Sequence, residues 1–230
     1  MENKLLRDYS DQEKGAYLGA ISSIATADHS ASDEEIEYIM ALADSADLSE
    51  EQKLAVRRAA TELTGQELKK CLDILKNSDL KYSLVTDLMS FAESDKKYTD
   101  DEKANVEKIS QYLGINQQQY SLLDQFVKKT AETKPEPEEV TKPSFLSKLG
   151  LEQKFKNSGI NINSLTKGLL GVAGPIVLAN LISGRRNRGM SSSMNPLNMG
   201  GGGLNSIISM LSGGRGFSRT GNMFNRIFGL

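Results

Sequence analysis

Four carboxylates and one imidazole carry the recurring chemistry of this chain: Asp28, Glu35, Asp95 and Glu102, with His29 beside the first. Laid over each other at an offset of 67, the stretches that start at Ala25 and at Ala92 align through Gln52 and Gln119 without a gap. Asp28/Asp95, Asp33/Asp100, Glu35/Glu102 and Gln52/Gln119 are identical, and Ile39/Val106, Leu42/Ile109 and Leu48/Ile115 are similar. Such self-similarity predicts two related helical hairpins facing each other across a pseudo-two-fold axis. If their turns adjoin, the four carboxylates form a hard oxygen set for Ca²⁺ or Mg²⁺, or for Zn²⁺ if His29 joins.

Part of this acidity has a purely structural reading. Asp33, Glu34 and Glu35, like Asp100, Asp101 and Glu102, fall in a first helical turn, where negative charge favours the helix dipole. Asp28 and Asp95 fall at the ends of the preceding helices, where the dipole disfavours an anion. An Asx-type bond to the following turn is one remedy and a bound cation is the other. The spacing is not that of an EF-hand, because position 6 counted from Asp28 is Asp33 and position 12 is Ile39.

The elements that must position these groups are legible from their start signals. Ser10/Glu13, Ser32/Glu35, Ser49/Gln52, Thr64/Glu67 and Thr99/Glu102 fit the capping box, and Asp79 and Asn116 are simpler caps. Seven helices follow, at about 11–27, 33–46, 50–63, 65–77, 80–95, 100–113 and 117–131. Apolar stripes such as Tyr17, Ile21, Ile24 and Leu84, Val85, Leu88, Phe91 give each a core face, and no segment alternates like a strand. Residues 1–131 therefore read as an all-α, seven-helix bundle with an internal helix-turn-helix repeat.

Composition divides the chain. Residues 1–132 carry a net charge of −10 and residues 133–230 a net of +8, and 16 of the 20 glycines lie beyond residue 132. The lone Cys71 excludes an internal disulfide and reads as a core thiol, and the single histidine excludes triads and His-rich zinc sites. No Walker A loop, dinucleotide fingerprint, CxxC pair or HExxH is present, so an enzyme is not expected. The start MENKLLRDYSDQEK lacks the character of a signal peptide, making the cytoplasm the expected compartment, with a peripheral place at the inner membrane face.

The segments ADHSASDEEI and SDKKYTDDEK, set in a seven-helix acidic bundle, resemble the TerB-like fold over about residues 10–131. That family includes tellurite-resistance TerB proteins and the N-terminal domain of DjlA-type membrane co-chaperones. The resemblance implies a non-enzymatic helical module, divalent-metal association through the acidic turns, and work in membrane-associated stress complexes. The family commonly writes each turn as Asp-Gly, whereas here His29 and Lys96 hold the second position. Only Asp28, Glu35, Asp95 and Glu102 carry over.

Residues 132–144, with three prolines in and beside them and alternating charge, read as an extended linker. Phe145, Leu146, Leu149, Leu151 and Phe155 with Lys148, Lys154 and Lys156 suggest one short amphipathic helix within an apolar segment 145–184. From Gly168 to Ser183 that segment is too short to cross a bilayer, which takes about 20 residues. Leu169, Leu170, Val172, Ile176, Val177 and Leu181, followed by Arg185, Arg186 and Arg188, are expected to contact a protein partner, another copy, an anionic membrane or the bundle itself. Residues 185–230 read as a flexible Gly/Ser/Met/Arg tail with short apolar helices, and two RG elements argue only thinly for nucleic acid. The sequence thus offers an interaction module tethered by its tail, or a structural subunit whose tail is buried in a larger particle.

Overall fold

A computed structural model describes residues 6–25, 33–61, 65–94, 100–133, 135, 137–140 and 142–169. These residues hold eleven α-helices and, among them, no strand. The first seven are α1 (Asp11–Ala25), α2 (Asp33–Ser45), α3 (Glu50–Thr61), α4 (Gly65–Leu75), α5 (Leu80–Ser94), α6 (Asp100–Tyr112) and α7 (Gln117–Thr133). Every expected start is met within a residue.

The caps explain why. Ser10 and Glu13 form the full reciprocal box, with the Ser10 amide donating to Glu13 at 3.0 Å and the Glu13 amide to Ser10 Oγ at 3.3 Å. Asn116 and Gln119 do the same at 3.1 and 2.9 Å, a fuller cap than the sequence promised. At α3 only the Gln52-to-Ser49 half forms. The Gln52 side chain lies instead against Gly15, where an added Cβ would meet its Cδ at 3.0 Å. At α5 the Ser78 hydroxyl accepts the Leu80 amide at 3.3 Å, the place expected for Asp79. Ser32, Thr64 and Thr99 lie outside the described residues.

Two helices are central. α1 packs on α2, α3 and α4, while α5 packs on α6 and α7, and α1 and α5 join the two groups. Gly15 and Gly19 let α3 and α4 approach α1 closely, since a Cβ on Gly19 would meet Cys71 Sγ at 3.0 Å and Ala59 Cβ at 3.8 Å. The core between them includes Tyr17, Leu18, Ile21, Leu42, Leu68, Leu72, Val85, Leu88 and Ile109, all at 2% exposure or less. Burial pushes the Cys71 thiol up to about 12, so it is an inert core thiol, as expected.

The expected boundary at residue 131 does not hold. α8 (Pro137–Val140), α9 (Pro143–Leu149), α10 (Glu152–Ser158) and α11 (Ile162–Gly168) continue the same core. Part of the supposed linker is helical and buries Val140. The single amphipathic helix expected from residue 145 is two helices, because Gly150 at φ 66° ends α9 in the left-handed region. The apolar side chains of this segment point inward: Phe145 and Phe155 stack edge-on against Phe126 of α7, at 6.4 and 5.8 Å between centroids. Leu165 and Leu169 are buried along with them, α11 lying on α5. No described helix is long and apolar enough to cross a membrane.

Candidate functional site

The turns that carry Asp28, His29 and Asp95 lie outside the described residues, and of Glu35 and Glu102 only the backbone, in the first turns of α2 and α6, is described. What is described is how the flanking helices are aimed. Near the start of α1, Glu13 stands in the same cleft wall as Ser78, two residues before α5 begins. In mid-helix, the Tyr17 hydroxyl donates to the Asp87 carboxylate. Start meets start and middle meets middle, so α1 and α5 run parallel. From Tyr17 to Ala25 and from Asp87 to Ser94 the rise is about 12 and about 10 Å, at 1.5 Å per residue. Both helices therefore end at nearly the same level on the same end of the bundle, and from those ends the chain enters the two acidic repeats.

This arrangement suits the donor set by type: carboxylate oxygens from two segments that leave neighbouring helices match a hard divalent cation. Lys96, next to Asp95, departs from the pattern by adding a like charge. Among the described residues, no group of three or more His, Cys, Asp or Glu side chains stands close enough to hold a metal.

At the opposite end, an open cleft of about 500 Å³ forms where the start of α1, the α4–α5 turn and the start of α11 meet. Its wall includes Asp8, Glu13, Asp79, Asn161 and Lys167. Lys167 pairs with Asp8 at 2.7 Å, holding that carboxyl below its usual range. Burial pushes the Glu13 carboxyl up, but hydrogen bonds from Ser78 and Ser10 outweigh it and leave a net lowering. Asp8 and Glu13 are thus already engaged by the fold.

Beneath the parallel pair lies a polar cluster that reading apolar stripes missed. Asp87 is 1% exposed and Tyr38 is fully buried. Tyr17 shares its hydroxyl between Asp87 and the Gly168 carbonyl, the latter at 2.8 Å. Burial, and next the charge of Asp87, push the Tyr38 hydroxyl far above its ordinary value, and that hydroxyl has no hydrogen-bond partner among the described residues. The signal was present as a lone acid inside the apolar run YSLVTDLM. Because an unpaired buried hydroxyl costs about 1–3 kcal/mol, Tyr38→Phe is expected to raise the unfolding free energy by about 1 kcal/mol, read by urea denaturation. A loss of stability would mean that the hydroxyl has a partner.

Leu169, expected to contact a partner, another copy, a membrane or the bundle, is 6% exposed and lies in the chain's own core. Leu170, Val172, Ile176, Val177, Leu181, Arg185, Arg186 and Arg188 lie outside the described residues.

Neither a curated protein nor a solved structure matches the chain. A family model described as tellurite resistance protein TerB matches residues 5–125, more than half of the sequence. That span begins just before α1 and ends within α7, taking in both central helices and both acidic repeats. On this match and the all-α architecture, the chain belongs to the TerB family.

Proposed function

We propose that this chain is a non-enzymatic interaction module that holds one divalent cation between its two acidic repeats and is carried to a membrane or protein assembly by the sequence beyond residue 169. The parallel α1/α5 pair is the observation that supports the first part, since it starts both repeats from one end of the bundle at one level. Asp28, Glu35, Asp95 and Glu102 would hold the ion, with His29 as a further donor if the ion is Zn²⁺. In this reading the cation is structural: it offsets the repulsion among the carboxylates and fixes the two repeats against each other. The charge split and the apolar-then-basic sequence Leu170–Arg188 support the second part.

Calorimetric titration of the full chain with Ca²⁺, Mg²⁺ and Zn²⁺ tests the first part. Saturable binding of one of them is expected, and Asp28→Asn with Asp95→Asn in one chain is expected to abolish it. Equal binding by that double variant, or no binding by the parent, would return these acids to a purely helix-capping role.

A further inference from the structure

Three short helices, α9, α10 and α11, each of seven residues, cross the face of α5 and α7. At two turns apiece they are far below the length at which a helix holds its form alone in water, so their order depends on what they rest upon. Bundle side chains grip them in one recurring way, by donating to main-chain carbonyls near helix C-terminal ends. Lys129 Nζ donates to Leu149 at 2.5 Å, Gln119 Nε2 to Ser158 at 3.0 Å and Ser83 Oγ to Leu165 at 3.0 Å. Tyr9 reaches Ser164 at 3.3 Å and Tyr17 reaches Gly168 at 2.8 Å. Most of these are the carbonyls that a helix leaves without an internal partner.

The covered face of α5 is mixed in character. Leu80, Ser83 and Asp87 lie on one side of that helix, and two of the three are polar. Ser83, Asp87 and Tyr17 hold the seam by hydrogen bonds that water could replace if it were uncovered, so opening it costs less than opening an apolar seam of the same area. The family match ends at residue 125, before this crossing begins. Gly168 is a tight point of contact, since a Cβ there would meet Ser83 Cβ at 2.8 Å and Leu80 Cδ2 at 3.0 Å.

We propose that residues 143–169 are a releasable strap, which lifts as one unit from a bundle of α1–α7 that stays folded. The link from Asp87 through Tyr17 to Gly168 is its latch. It ties the polar centre of the bundle to the point where the chain leaves for its basic sequence, so a pull on residue 169 is felt at Tyr17 and Asp87.

Deuterium exchange on the full-length protein, read by peptide mass, tests this with two variants. Gly168→Ala, which crowds Ser83, should speed exchange across 143–169 by about tenfold or more. Val56→Ala lies on α3, which packs on α1 and α2 away from the strap. It should speed exchange in the bundle helices by about tenfold yet leave the strap within about twofold, because the bundle, Val56 included, stays packed when the strap opens. Strap and bundle accelerating together in Val56→Ala would mean that residues 143–169 open only when the whole molecule unfolds, and would overturn the proposal. So would Gly168→Ala exchanging at the parent rate.

Discussion

Phe126→Ala is expected to lower the unfolding free energy by about 3–5 kcal/mol, the range for removing a fully buried aromatic side chain. Phe126 is 1% exposed and belongs to α7, yet its ring is the anvil for two residues of the crossing segment. Phe145 meets it at an interplanar angle of 88° and Phe155 at 83°, edge-to-face geometry worth about 0.5–1.5 kcal/mol per pair beyond area. One substitution therefore makes a cavity in the bundle and unseats α9 and α10 at once. Urea denaturation of the full chain measures it. A loss under about 1 kcal/mol would mean that the three rings do not form a single packed unit.

The second large effect is expected from ending the chain after Thr133. Phe145, Leu146, Leu149, Leu151, Phe155, Ile160, Leu165 and Leu169 are each 6% exposed or less, and each such burial contributes about 1.5–3 kcal/mol in gross terms. Their loss is expected to lower Tm by about 10 °C, at about 2–4 °C per kcal/mol for a chain of this size. The shortened chain should remain helical by circular dichroism while binding a hydrophobic dye at the exposed Phe126 face. Complete loss of helix on truncation would show that α1–α7 cannot stand without the strap. An unchanged Tm would show that the strap adds nothing.

The helices of residues 11–133 were legible because their signals are local. A hydroxyl or amide cap, a Glu or Gln three residues on, and a stripe at helical spacing act within one element, and Ser10/Glu13 and Asn116/Gln119 form the predicted bonds. The internal repeat is legible in the sequence alone, because its two copies align without a gap. What escaped notice depends on contacts distant in sequence. Nothing near Phe145 or Phe155 says that their partner is Phe126. The lysines between them, Lys148 and Lys154, mark an amphipathic helix without saying what its apolar side meets, since such side chains lie along the surface whichever way that side turns. Pro137 and Pro143, read as marks of a linker, instead stand at the starts of α8 and α9, where a missing amide costs nothing. Asp87 was passed over because periodicity assigns a helix face without showing that a tyrosine hydroxyl from α1 is waiting on it.

In the proposed function, two copies of one acidic turn serve a single ion. Mn²⁺, a hard paramagnetic cation, tests it most directly when titrated into the isotopically labelled full chain and followed by amide NMR. One equivalent per chain is expected to broaden amides around Asp28–Glu35 and around Asp95–Glu102 together, with one binding constant. Broadening confined to one repeat, two successive equivalents with separate constants, or uniform weak broadening over the acidic surface would contradict the account.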